Sequence, residues 1–317
     1  MERIEEESTV KTIKIGKSDV RASVIGLGTN AVGGHNLYPD LDEAEGKDLV
    51  RSALDSGISL IDTAFAYGRG RSEELVGQVL QEYPREQVVI ATKASHLPEG
   101  TGHSNSLSFM EKALAASLKR LQTDYIDIFY IHFPDEITPK NQVVALLNDY
   151  KQQGIIRAIG VSNFSLAQLK EANQDGYVDV VQDEYNLIAR QNEQTLMAYC
   201  QEQQLSYIPF FPLASGLLTG KYQADVVFPA TDFRSRQANF QGERYRQTVA
   251  KVKELQPLAD KYHVAITHVV LNWYLQRRDI SAIIPGAKNA RQVADNLQAI
   301  SFKLTPQEVE FIDGLFS

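Results

Sequence analysis

Eight short runs rich in β-branched and aromatic residues recur along this chain, and they constrain its fold more than any other feature. They are SVIGLGT (23–29), ISLIDTA (58–64), VVIATKA (88–94), IDIFYIH (126–132), IRAIGVS (156–162), VVQDEYN (180–186), SYIPFFP (206–212) and SAIIPGA (281–287). Between them lie stretches with the apolar spacing of amphipathic helices, for instance 73–80, 109–121, 141–153 and 165–172, the last opened by Ser165 and Gln168 as a capping box. A helical crossover returns the chain so that the next strand runs parallel to the one before. Eight such units without a break in composition predict an α/β fold, a (β/α)8 TIM barrel, in preference to an open doubly wound sheet.

Three segments stand outside the alternation. VKTIKI and VRASV flank the turn Gly16-Lys17-Ser18-Asp19, which predicts an N-terminal β-hairpin laid over the barrel. A polar loop at 222–242 precedes helical stretches at 243–262 and 266–277, and Thr305-Pro306-Gln307-Glu308 opens another, so extra helices are expected near the C-terminus. The whole of 1–317 reads as one domain, with 1–10 as an acidic, solvated tail lacking the apolar core of a signal peptide.

Composition narrows the partners. With 32 basic against 40 acidic residues the net charge is −8, which argues against nucleic acid. No apolar window is long enough for a membrane span. The single cysteine, Cys200, sits in a helix-like stretch at 192–204 and excludes an internal disulfide. The six histidines form no HxxxH pair, so neither metal nor a zinc site is expected, and the expected compartment is the cytoplasm.

In a barrel the chemistry sits at the C-terminal ends of the strands. Period-two alternation puts Leu60 and Asp62 on one face, likewise Val89, Ala91 and Lys93, and likewise Ile128, Tyr130 and His132. Each row ends in a polar group, and Ser162, Asn163 and Gln182 continue the pattern. Taken singly, each has an ordinary explanation: a loop-capping aspartate, a surface lysine, a packing tyrosine at Tyr67, a satisfied core histidine. Together, at successive strand ends, they are hard to explain as packing, and a buried Asp62 calls for a cation such as Lys93.

Asp62 and Tyr67 in IDTAFAYG, Lys93 in ATK and His132 in IHFPD resemble the tetrad of the aldo-keto reductase family. GVSNFS, the VQ..YN run, GLLTGKY and IPGAKNARQVADN fall in the family order, so the resemblance covers nearly the whole chain. GLGTNAVGGHNLYPDL and YIHFPDEITPK are similar to its bacterial inositol-operon-associated, IolS-like branch. The resemblance implies hydride transfer between a nicotinamide cofactor and a small carbonyl or polyol substrate. It makes Tyr67 the general acid, Lys93 the cation that lowers its pKa, Asp62 the counter-ion of Lys93, and His132 the donor that orients the carbonyl.

The same resemblance gathers a cofactor set. Ser162, Asn163 and Gln182 would meet the nicotinamide carboxamide, with Phe210 as the ring's flat partner. The backbone of 216–218, with Gly216 and Leu217, and Lys221 would hold the pyrophosphate, and Lys288, Gln292, Asp295 and Asn296 match the adenosine end. Thr29, Asn30, Asp62, Phe211, Pro212, Leu213, Ser215, Arg234 and Gly286 complete the set. Arg234, Lys288 and Arg291 could meet a 2′-phosphate, so NADPH is preferred over NADH, although Asn289 and Gln292 stand where relatives often carry arginine. A substrate pocket is expected from Asn30, His35, Phe65, Phe133 and Asn186, whereas His96 and His103 read as exposed loop residues. No Rossmann fingerprint competes, because Ala31 occupies the place of the third glycine in Gly26-Leu27-Gly28-Thr29-Asn30-Ala31. The expected function is an NADPH-dependent reductase of aldehydes and ketones. The alternatives are a nucleotide-binding sensor or accessory subunit with little turnover, and a Schiff-base barrel using Lys93.

Overall fold

The computed structural model describes residues 10–38, 40–229 and 232–317. The expected tail therefore lies outside the described residues, except for Val10, which is buried rather than solvated. Strands β1 (Thr12–Lys14) and β2 (Arg21–Ser23) pair antiparallel, Thr12 opposite Ser23, and form the expected hairpin. Its turn requires glycine: at Gly16 (φ +50°) a Cβ would lie 2.0 Å from the Asp179 carbonyl oxygen.

Seven parallel strands follow in sequence order: β3 (Leu27–Gly28), β4 (Leu60–Asp62), β5 (Val89–Ala94), β6 (Ile126–Ile131), β7 (Ile156–Ser162), β8 (Val180–Glu184) and β9 (Ser206–Phe210). The eighth expected run forms single parallel bridges, Ile25 to Ile283 and Gly28 to Gly286, and Ser281 N donates to Tyr207 O on the other side. The barrel closes there, but thinly; Pro285 has no N–H to give to the ladder.

Alternation sorts the strand residues into two apolar layers. Ile61, Ile90, Phe129, Ile131, Ile159, Val161, Val181 and Tyr207 face outward into the core shared with the helices. Leu60, Val89, Ala91, Ile128, Tyr130, Ala158, Val180, Ile208, Ala282 and Ile284 fill the interior, and Ile15, Val20 and Ala22 of the hairpin segment join that layer. The interior is tight at one level: a Cβ on Gly160 would come 2.2 Å from the Tyr130 ring, directly across the β6–β7 register. The polar strand ends are thereby left at one mouth of a filled barrel.

Helices Glu43–Asp55, Arg71–Leu80, Leu107–Leu121, Lys140–Gln152 and Leu166–Ala172 lie between successive strands. The Ser165–Gln168 capping box forms, and so does Thr305–Glu308 ahead of Pro306–Leu315. Two helical expectations are corrected. The stretch 243–262 is two helices, Gly242–Lys253 and Gln256–Tyr262, because Pro257 is tolerated only in a first turn. The stretch 192–204 begins as a π-helical turn, Glu193–Met197, before Ala198–Glu202. Among the described residues no helix is long and apolar enough to cross a membrane.

Candidate active site

Parallel register delivers the polar ends to one rim: Asp62 is opposite Ala91, Lys93 opposite Tyr130, and Ser162 opposite Gln182. Asp62, Lys93, Ser162 and Gln182 are all at most 2% exposed. Lys93 Nζ bonds Asp62 Oδ1 and donates to Thr63 O at 2.9 Å, while Gln182 Nε2 donates to Asp62 Oδ2 at 2.9 Å. Burial would push the Lys93 ammonium down, but the charge of Asp62 and the Tyr67 hydroxyl outweigh it, so Lys93 is held above its ordinary value and stays charged.

Tyr67 is half-buried on the loop after β4, its ring centroid 5.3 Å from Lys93 Nζ. Its pKa corrects the expectation. Burial raises it, and the pull of Lys93 only partly offsets that, so the phenol lies above its usual value. Which effect wins depends on depth, and depth is not written in a motif. His132, 9% exposed, is held well below the usual imidazole value by burial and then by Lys93 and two neighbouring histidines. Its Nδ1 is buried without a partner. An unpaired lone pair there costs less than an unpaired N–H, which assigns the proton to Nε2. Asn163, in the left-handed region at φ +60°, donates through Nδ2 to His132 O and to Ser162 Oγ, both at 3.0 Å.

The remaining expected residues divide by exposure. Thr29 is fully buried, with Oγ1 bonded to Asp62 O and to Ser72 Oγ, each at 3.0 Å, so it braces Asp62 from behind. Asn186 spends its amide on Phe211 O (3.3 Å) and Ile188 N (3.1 Å). Pro212 accepts from the Tyr274 hydroxyl at 2.9 Å, and the Leu217 side chain is core. His35 contacts Glu43 at 3.2 Å on the loop beyond β3. Phe65 lies under Arg120, whose Nε bonds the buried Glu73 at 2.7 Å. Phe133 is half-buried against His132, and Asn30 Oδ1 faces Gly286.

Phe210 stands half-buried at the rim, edge-on to Phe211. Beyond it Phe211, Ala214, Ser215 and Gly216 all take positive φ, a concentration of costly backbone that favours a ligand-holding loop. Lys221 Nζ lies against that loop, 3.0 Å from where a Gly216 Cβ would stand. Farther out, Lys288 and Gln292 are exposed, and Gln292 Oε1 accepts from Lys288 N at 2.8 Å. Asp295 meets His268 at 3.3 Å, and Asn296 is buried. Arg234 is bound to Asp232 and to the Tyr222 hydroxyl. Sequence reasoning passed over Asp232. It also misplaced His96, which is half-buried beside His132; its place just past the end of β5 was the available signal. Among the described residues no group of three or more His, Cys, Asp or Glu is arranged to hold a metal ion.

Residues 24–316 match the model of the aldo/keto reductase family. The chain belongs to this family. Its relatives include the NADH-specific methylglyoxal reductase of Escherichia coli K12, 36% identical, covering 93% of this chain and 95% of that one. A probable voltage-gated potassium channel β subunit of rice is 31% identical over 95% of each chain. The glycerol dehydrogenase AKR11B4 of Gluconobacter oxydans superposes with a TM-score of 0.88 at 32% identity, covering 96% of this chain and 94% of that one. The chain is thus an aldo/keto reductase barrel among oxidoreductases, a family that uses nicotinamide cofactors. The residues present suit such a group. Ser162, Asn163 and Gln182 offer amide and hydroxyl groups together, Phe210 offers a ring face, and the left-handed loop with Lys221 suits an anionic linker.

Proposed function

We propose that this protein reduces the carbonyl of small aldehydes and ketones, or oxidises the matching alcohols, with NADPH preferred over NADH. The observation that carries the reading is the buried Asp62–Lys93 pair beneath a half-buried Tyr67, beside a neutral His132. A bound reduced nicotinamide would supply the hydride, and the chain's own groups attend to the oxygen. His132 Nε2–H donates to the carbonyl oxygen and orients it. Tyr67 holds its proton in the resting site and gives it up as negative charge develops on that oxygen. Lys93 does not overcome burial in the resting phenol, but it stabilises the phenolate left by the transfer, fixed in place by Asp62 and Gln182.

The NADPH preference rests on exposed Lys288 and Arg291 with Arg234 nearby, against which stands Asp232, already bonded to Arg234. Because a relative is NADH-specific by name, the ratio of the two dissociation constants decides this part. The likeness to the inositol-operon-associated branch adds polyols to the candidate substrates.

Titration with NADPH and with NADH, followed by addition of nitrobenzaldehyde, tests the proposal. Tighter binding of NADPH and consumption over many turnovers support it. Binding with no more than one turnover per chain would instead favour an accessory role of the kind the rice relative's name describes, and no binding of either nucleotide overturns it. Tyr67→Phe should keep nucleotide affinity and lower kcat by roughly 10²–10⁴.

A further inference from the structure

His96 and His103 take no part in the chemistry described above, yet the fold brings them against His132. After β5 the chain runs out and returns as a short flap, with His96 bridged to His103 and Ser104 N donating to Ser95 O at 2.9 Å. Its root is braced on the loop after β6. Ser95 Oγ accepts from Phe133 N (3.1 Å), and fully buried Asn105 donates to Phe133 O (3.0 Å) and accepts from Asp135 N (2.7 Å). The flap root is therefore positioned relative to His132 by polar contacts on both sides.

The His96 ring lies 4.9 Å from the His132 ring, centroid to centroid, and 5.3 Å from Phe133. His103 stacks on Phe133 at 4.7 Å. Like His132, His96 has a buried, unpartnered Nδ1. Burial, and then His103, lower His96 to about 4, so it is neutral around neutral pH. Here too an unpaired lone pair costs less than an unpaired N–H, which leaves the His96 proton on Nε2. Neither Nε2 is hydrogen-bonded within the described chain, and neither is among its buried unpartnered atoms. Two rings 4.9 Å apart at the strand ends thus each carry an N–H donor.

We infer that His96 is a specificity-determining donor for an oxygen on the carbon next to the reacting carbonyl, so that hydroxyaldehydes, 2-oxoaldehydes and short sugars are preferred over plain aldehydes. The inference rests on the reductase reading, in which Tyr67 and His132 share the carbonyl oxygen. A substrate with alkyl in place of that second oxygen strips water from the His96 N–H and returns no hydrogen bond, and such mismatches discriminate strongly.

Lactaldehyde and propanal differ by the one hydroxyl in question. The wild type should favour lactaldehyde in kcat/KM by roughly tenfold or more, His96→Leu should lower that ratio by about tenfold, and His96→Gln, which keeps an N–H, should recover part of it. Without nucleotide, the His96 imidazole ¹⁵N resonances should move on adding lactaldehyde and not propanal, a readout that needs neither turnover nor a folded variant. A wild-type ratio near one, resonances that ignore lactaldehyde, or a His96→Leu variant that slows both aldehydes equally overturns the assignment and leaves the reductase reading standing. Failure of the wild type to reduce either aldehyde overturns that reading, and this inference with it.

Discussion

Replacing Asp62 with Asn removes one charge from the barrel mouth while keeping shape, the oxygen that Lys93 approaches, and the Lys93 bond to Thr63 O. Asp62 and Lys93 are 2% and 1% exposed at their side chains, so the ammonium is left in a dry site with no counter-charge. Breaking a buried pair by removing one partner costs about 3–5 kcal/mol. At about 2–4 °C per kcal/mol, Tm should fall by on the order of 10 °C. The pH dependence identifies the cause. In the wild type burial pushes Lys93 down, but Asp62 and Tyr67 win and hold it above its ordinary value, so its stabilisation is complete below the unfolded value of about 10.4 and is lost above it. In Asp62→Asn burial is opposed by Tyr67 without the Asp62 charge and depresses Lys93, so the penalty is full in neutral solution and is relieved as the ammonium deprotonates. Urea unfolding of both proteins should therefore show a deficit that shrinks between about pH 7 and pH 10. A deficit below about 1 kcal/mol, the range of exposed pairs, or one that grows with pH, would refute the argument.

Gly160→Ala should destabilise by about 1–3 kcal/mol in urea, because the new methyl meets Tyr130 ring carbons. Tyr130→Phe should not rescue it, since the clash does not involve the hydroxyl. Asp232→Asn should shift the ratio of NADPH to NADH dissociation constants several-fold toward NADPH. Its carboxylate, which Arg234 hydrogen bonds hold down at about 2, otherwise occupies a cation near any 2′-phosphate. A shift toward NADH would remove Arg234 from that role.

How much of this was legible follows from which features are periodic. Asp62, Lys93 and His132 could be placed together because each ends a two-residue alternation whose lower members, such as Leu60, Ala91 and Ile128, fill the interior. Parallel pairing then carries the row around the barrel. The closing run 281–287 reads as a strand by composition, but its pairing depends on a ladder interrupted at Pro285. Thr29 matches its family position by spacing, and spacing does not reveal that Asp62 O and Ser72 consume its hydroxyl. His96 looked like a loop residue because its burial comes with His103, His132 and Phe133, ring contacts made by a flap with no period of its own. The net position of the Tyr67 pKa was illegible for a related reason: the motif names the cation, which does pull it down, and not the depth of the phenol, which outweighs that pull.

The thin closure between the first and last runs has a consequence for exchange with solvent. Gly26 N donates to Ile283 O at 2.7 Å and Ile283 N to Val24 O at 3.0 Å, while Gly28 N reaches Pro285 O only at 3.4 Å. The β6–β7 pair, by contrast, is held by a continuous register from Ile126 to Ile131. Amide protons of Gly26, Gly28 and Ile283 should thus exchange through local separations well before those of β6, making this seam the low-stability edge of the molecule. Asn30 and Gly286 flank the same seam and belong to the proposed nucleotide set. A nucleotide touching both would bind only the closed form, and each closed encounter would slow deuterium uptake along the line where the first and last strands meet.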